Sequence, residues 1–185
     1  YDDFMLVGEY RGRTIEGFLA PYPTTLKEQV HGRNVIFTTT NGTVALRNSW
    51  PSEAVYAGSM LNEEILTDYL VHTYKGQAIM LVCSGSSGQF NLEDFYGVGS
   101  FIKALLAAGN RRGVAWELSD AAVTALHFYK ANEHKGEELL KKARVGNKLT
   151  NEGHQSEVRY VLQKNACPVI PRLDGDLLKL VRWQS

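Results

Sequence analysis

Residues 78–109, AIMLVCSGSSGQFNLEDFYGVGSFIKALLAAG, constrain the fold more than any other stretch, because a short apolar run leads through a Gly/Ser loop straight into an amphipathic helix. Residues 78–82 are continuously apolar and too few for a helix, which predicts a strand buried on both faces of a sheet. Cys83, Ser84, Gly85, Ser86, Ser87 and Gly88 then place a thiol, hydroxyls and unencumbered amides where the chain leaves that sheet. Asn91 has the character of an N-cap, with Glu93 and Asp94 in the first turn. Phe95, Val98, Ile102, Leu105 and Leu106 recur at helical spacing, and Gly109 supplies a stop. A flexible loop closed by a helix N-terminus gathers unpaired N–H groups and the positive end of the helix dipole, so it favours an anion such as a phosphate or sulfonate.

The same grammar recurs along the chain. Residues 34–38 (NVIFT) read as a buried strand that runs into Thr39, Thr40, Asn41, Gly42 and Thr43, with a short helix from Val44. Residues 54–57 (AVYA) read as a third strand, ending in Gly58 and Ser59 before a helix capped by Asn62. Further helices are expected after Thr24 or Thr25, from Ser119 through Tyr129, over 137–145 with Gly146 as stop, and over 155–164. Residues 4–10 and 13–18 flank Arg11-Gly12, and 169–170 and 177–181 flank Asp174-Gly175, as two hairpins. Strands alternating with helices between terminal hairpins predict an α/β layer fold with a mixed, centrally parallel sheet and antiparallel edges. Ligands collect at the carboxyl ends of strands in such sheets. The loops TTTNGT, GSMLN and CSGSSG thereby become neighbours on one rim.

Composition narrows the classes. A chain of 185 residues, 44% of them apolar, can bury the core of a single domain. Twenty Lys plus Arg balance twenty Asp plus Glu, which gives no basic surface for nucleic acid. No apolar run approaches the roughly 20 residues of a membrane span, and no signal peptide is visible, so a cytoplasmic location is the expectation. Cys83 and Cys167 form neither a metal spacing nor a disulfide framework, and the five histidines show no zinc pattern.

At the rim, the threonine hydroxyls and Gly42 suit a tetrahedral anion, although TTTNGT alone reads as an Asn-Gly turn. Its pairing with residues 83–88 favours a site. Glu93 and Asp94 can hold Mg²⁺ beside a phosphate or simply complement the helix dipole. Adjacent helical residues diverge by about 100°, so the two cannot point the same way. One is expected at a metal, while the other supports the helix or acts as general acid or base. Cys83 before a Ser/Gly loop and a helix resembles the nucleophile loop of cysteine-dependent phosphatases, where an Arg six positions on grips the phosphoryl group. Gln89 stands there instead, which ranks a cysteine mechanism below a metal-assisted one. Lys141, Lys142 and Arg144 read as a solvated helix face.

The motifs VIFTTTNGTVAL, AGSMLNEE, LVCSGSSGQFNLEDFYGVG and SDAAVTAL, in this order and with these gaps, resemble the 2-phosphosulfolactate phosphatase (ComB-like) family. The opening VGEYRGRTIEGF and the later ACPVIP join the match, which covers most of the chain as one domain, residues 1–185. The resemblance implies a three-layer α/β/α fold, a homodimer, and a Mg²⁺-dependent phosphatase that converts 2-phosphosulfolactate to sulfolactate in coenzyme M biosynthesis. By position it carries over Thr39, Thr40, Asn41, Gly42, Thr43, Ser59, Asn62, Gly85 and Gly88 as substrate-side residues. Glu93, Asp94 and Cys83 follow as catalytic candidates, the two carboxylates also as metal ligands. A domain without the family's additional N-terminal segment is the expectation for residues 1–185. Where the family tends to read GFDxGNSP this chain has GFLAPYP at 17–23, without the Asp and Asn. Two further readings stand beside the metal-dependent phosphatase: a Cys83-dependent phosphatase, and a non-catalytic binding protein for a phosphate or sulfonate metabolite.

Overall fold

The alternating sequence FMLVGEY forms the first strand, β1 (Phe4–Tyr10), which buries Met5 and Val7. The structure is a computed structural model and describes residues 4–183. Arg11 (φ 52°) and Gly12 (φ 75°) both lie in the left-handed region, as a two-residue hairpin turn requires, and return the chain as β2 (Arg13–Thr14). The expected strand over 13–18 ends after two residues. The chain instead rejoins β1 at Leu19, whose N–H donates to the Leu6 carbonyl at 2.8 Å. Pro23 opens the short α1 (Pro23–Leu26). β3 (Asn34–Thr38) then runs parallel to β1 in register from Phe4 opposite Asn34 to Gly8 opposite Thr38. Gly8 is required at that end, because a Cβ there would stand 2.6 Å from Thr38 Cγ2.

The helices follow as α2 (Gly42–Asn48), α3 (Glu63–Thr73), α4 (Leu92–Arg111), α5 (Asp120–Asn132), α6 (Gly136–Lys142), α7 (Arg144–Asn151) and α8 (Gln155–Val161). A 3-10 turn, Glu133–Lys135, joins α5 to α6. The chain closes with the antiparallel hairpin β4 (Pro171–Asp174) and β5 (Leu177–Leu180). The fold is therefore mixed α/β, with a sheet ordered β2-β1-β3 that combines one antiparallel and one parallel pairing, and a separate two-stranded sheet. No helix among the described residues is long and apolar enough to cross a membrane.

Four further sequence expectations are corrected. Residues 34–38 pair with β1, but Val35, Ile36 and Phe37 are exposed rather than buried, because no strand among the described residues pairs on their other side. Residues 78–82 pair with no strand among the described residues, and Met80 and Val82 are 85% and 55% exposed rather than buried. A continuous apolar run becomes a doubly buried strand only where neighbours flank it on both sides. Residues 54–57 contribute a single bridge, from Tyr56 to Arg172. The helix expected over 137–145 is two helices, broken where Ala143 takes an extended ψ of 158°, and Gly146 lies inside the second. The site of a Cβ on Gly146 is occupied by the backbone of Leu140, so close approach of α6, and not helix termination, is the reason for glycine there.

The core centres on α4. Leu66, Leu70 and Val71 of α3 pack with Phe101, Leu105 and Ala108 of α4 and with Ile170. On its other side Tyr96 meets Tyr129 of α5 with ring centroids 4.9 Å apart. Gly99 allows that approach, since a Cβ there would lie 2.5 Å from Tyr129 Cβ and still closer to the Ala125 carbonyl oxygen. Most polar groups at this junction are paired, the buried Trp116 Nε1 against Gly109 of α4 being an exception. Ser100 Oγ donates to buried Glu63 at 2.6 Å, Lys164 lies 3.1 Å from the same carboxylate, and Lys103 and the Tyr129 hydroxyl donate to Glu133.

Gly99→Ala is expected to lower stability by about 1–3 kcal/mol through overpacking, measured by denaturant unfolding. The hydrogen bonds from Lys103, against partial desolvation and with help from Tyr129, hold Glu133 below its ordinary carboxylate value. A folded-state pKa below the unfolded one gives stability that is complete above the unfolded value, about 4.3, and is lost as pH falls through the folded value. The thermal midpoint should fall on acidification below about pH 4, and Glu133→Gln should flatten that part of the profile.

Candidate active site

Four segments close into a ring at one end of the cleft beside β3. In the loop after β3, Thr39 and Thr43 satisfy each other. Thr43 N–H donates to Thr39 Oγ1 at 3.1 Å, Thr39 N–H donates to Thr43 Oγ1 at 3.1 Å, and the Thr43 hydroxyl donates to the Thr39 carbonyl at 2.8 Å. These hydroxyls shape the entry to α2. Thr40 turns the other way, donating through N–H and Oγ1 to Glu9 at 2.7 and 3.0 Å and accepting from Arg11 N–H at 2.6 Å. Glu9 also accepts from Gly12 N–H, so β1 and its hairpin turn are fastened to the threonine loop.

Asn41 Oδ1 accepts from Ser87 N–H at 2.9 Å and joins the threonine loop to the Ser/Gly loop. The latter is a tight turn in which Ser86 and Gln89 exchange backbone hydrogen bonds of 3.0 and 3.1 Å. Ser87 (φ 54°) and Gly88 (φ 73°) take the left-handed conformations between them, as does Gly85 (φ 70°) just before. Asn91 caps α4 by accepting from Asp94 N–H at 3.0 Å. Asp94 Oδ2 accepts from Ser84 Oγ at 3.0 Å and Gly85 N–H at 2.8 Å, which fixes the loop above the helix. Glu93 points to α7, where its Oε1 accepts from Val145 and Gly146 N–H at 2.8 and 3.0 Å. Arg144 Nη2 donates to the Ser86 carbonyl at 3.2 Å, and Lys148 Nζ to the Gly12 carbonyl, which completes the circuit.

Thr40, Asn41, Gly42, Thr43, Glu93 and Asp94 lie on one broad, open concave face, whose lining does not include Thr39, Cys83, Gly85 or Gly88. Ser59 lines the same cleft, but Asn62 stays buried beneath it. Asn62 also makes no helix-capping bond. Its Oδ1 accepts from Ser59 N–H at 2.8 Å and its Nδ2 donates to the Ala57 and Val169 carbonyls, so it anchors the loop instead. Desolvation first, and then the Asp94 carboxylate, push the Cys83 thiol above its ordinary value. That is the opposite of the low pKa a thiolate nucleophile needs. Glu9, Arg11, Arg144 and Lys148 are the rim residues that sequence reasoning did not select, and only the basic run Lys141, Lys142 and Arg144 touched one of them.

A divalent cation is compatible with either acidic side chain. Each carboxylate has one oxygen engaged by N–H or O–H donors, while Asp94 Oδ1 and Glu93 Oε2 accept no hydrogen bond among the described residues. No group of three or more His, Cys, Asp or Glu side chains converges as a metal cage among those residues. Mg²⁺ characteristically takes one or two carboxylates and completes its shell with waters and substrate phosphate oxygens, so the donor set suits it.

Hydroxyl, amide and guanidinium donors thus surround two carboxylates that each keep one oxygen free of hydrogen bonds among the described residues. Comparison with known sequences gives the family. Residues 1–176 match the profile of the 2-phosphosulpholactate phosphatase family, and the chain belongs to that family, which places it among the phosphoric monoester hydrolases. It is 32% identical over 180 residues to a probable 2-phosphosulfolactate phosphatase of Clostridium acetobutylicum, covering 95% of this chain and 73% of the relative. A protein of the same name from Clostridium perfringens is 32% identical over 182 residues, with 97% and 70% covered. One from Caldanaerobacter subterraneus is 28% identical over 180 residues, with 96% and 72% covered.

Because Glu93 ties the start of α7 to α4, Glu93→Ala should cost about 1–3 kcal/mol of local stability. Hydrogen exchange should show the Val145 and Gly146 amides losing protection while the amides of α3 keep theirs.

Proposed function

We propose that the chain hydrolyses 2-phosphosulfolactate to sulfolactate and phosphate, with Mg²⁺ as cofactor. The observation that carries this reading is Asp94. It holds the Ser84–Gly85 turn through one carboxylate oxygen and leaves the other open, in a chain whose relatives bear that enzyme's name. The substrate is a secondary phosphate ester that also carries a sulfonate and a carboxylate, so its binding requires many donors and much charge compensation.

Asp94 Oδ1 would hold the ion, which when bound supplies neutralisation of the phosphate charge, while Glu93 is turned to the start of α7. The Ser86 and Ser87 hydroxyls and the Gly88 amide orient the phosphate oxygens, while the Ser84 hydroxyl and the Ser87 amide stay engaged by Asp94 and Asn41. The linkage from Asn41 to Ser87 fixes the spacing between the two loops, so orientation is set before substrate arrives. A water forms the new bond to phosphorus as the ester bond to the sulfolactate oxygen breaks, and that oxygen takes up a proton. Catalysis then rests on positioning and charge neutralisation, with no covalent enzyme intermediate. The raised Cys83 pKa supports a reaction without a thiolate. A three-layer α/β/α arrangement, a cytoplasmic homodimer and a place in coenzyme M biosynthesis belong to the same reading and are supported by the family resemblance.

Phosphate release from 2-phosphosulfolactate should require Mg²⁺ and stop in EDTA. Asp94→Asn, which keeps an oxygen for Gly85 N–H, should lower kcat by about 100-fold or more. Full activity in EDTA removes the metal from the proposal. Thermal stabilisation by the substrate without any turnover would instead favour a binding protein.

A further inference from the structure

We infer that Arg144 recognises the non-reacting sulfonate of the substrate and selects sulfonated over unsulfonated phosphate esters. The inference rests on the phosphatase reading for the reaction, but on separate atoms for recognition. Arg144 is the first residue of α7, where a cation is disfavoured by the positive end of the helix dipole. Among the described residues its guanidinium lies within ion-pair distance of no carboxylate. Its recorded partner is the Ser86 carbonyl at 3.2 Å, on the rim of the anion loop. The nearby acidic groups are committed elsewhere. Glu93 is engaged by the two amides that follow Arg144, Asp94 by Ser84 and Gly85, and Glu9 by Thr40 and Gly12.

Arg144 is therefore a charged fork held beside the loop, exposed to the cleft, with one donor engaged and no counter-charge. The substrate's groups can be distributed by their chemistry. The phosphate has hydroxyl, amide and metal partners. The sulfonate is weakly basic, spreads a single charge over three oxygens and is a poor ligand for Mg²⁺, so it depends on a cation supplied by the protein. A planar guanidinium offers paired donors to such an oxyanion, which an ammonium does not.

The test compares 2-phosphosulfolactate with 2-phospholactate, which keeps the phosphate and carboxylate and replaces the sulfonated arm by a methyl group. Wild type should prefer the sulfonated ester. Arg144→Gln should lower the ratio of kcat/KM for 2-phosphosulfolactate over 2-phospholactate by about 10- to 100-fold, the range of a lost charge-assisted hydrogen bond. Arg144→Lys should restore part of the preference. A preference that survives Arg144→Gln, an equal fall in both kcat/KM values, or no preference in wild type overturns the inference. If wild type hydrolyses neither ester, the phosphatase reading falls, and calorimetric titration decides the recognition claim alone. Tighter binding of sulfolactate than of lactate that Arg144→Gln abolishes upholds it, and equal binding of the two overturns it.

Discussion

The first turn of α4 is the point from which the site is suspended. Three polar side chains there accept backbone N–H groups from three places: Asn91 from the helix itself, Asp94 from Gly85, and Glu93 from Val145 and Gly146. Adjacent helical residues diverge by about 100°, and that divergence is put to use. Glu93 and Asp94 reach in different directions and bind two segments that are remote in sequence. A hydrogen bond to a charged acceptor is worth more than one between neutral groups, so a few contacts suffice to order two loops that have little apolar burial of their own.

Such an anchor is useful only if the helix beneath it is rigid. α4 is clasped by α3 through Leu66, Leu70, Phe101 and Leu105, and by α5 where Gly99 lets the two backbones close up. The Glu63 to Ser100 bond and the Lys103 to Glu133 bridge pair the charged and polar groups that this clasp buries or half-buries. Apolar packing thus fixes the helix while the polar pairs fix how its neighbours are oriented against it, and the loops inherit that rigidity.

What was legible in the sequence was the local part. Asn91 and Ser119 cap α4 and α5 through side-chain acceptors only three residues from the amides they serve, and the Arg11-Gly12 turn joins neighbouring strands. Residues 78–82 were misread because strand pairing depends on a partner that no local pattern specifies. The break at Ala143 was hidden inside a strongly helical stretch. It follows from the close packing of Gly146 on Leu140, a contact that helix propensity does not contain. The ring around the site was out of reach for the same reason. Glu9 meets Thr40 across 31 residues and Arg144 meets Ser86 across 58, so the basic run at 141–144 resembled any solvated helix face.

The threonine loop shows how composition can suggest more ligand chemistry than geometry leaves available. Its run of hydroxyls resembles a clamp, yet Thr39 and Thr43 close on each other, and Thr40 is engaged by Glu9 and Arg11. These groups give the loop its shape, and Asn41 transmits that shape to Ser87. Capacity for an anion therefore lies mainly on the serine side of the seam and in the guanidinium beside it. The half-open carboxylates lie at α4, under the same serine loop. On the proposed reading, an ester with several negative groups would set its phosphate near Asp94 and any second anion toward Arg144. In that arrangement charge separation along the rim, rather than the count of hydroxyls, sets which anions fit.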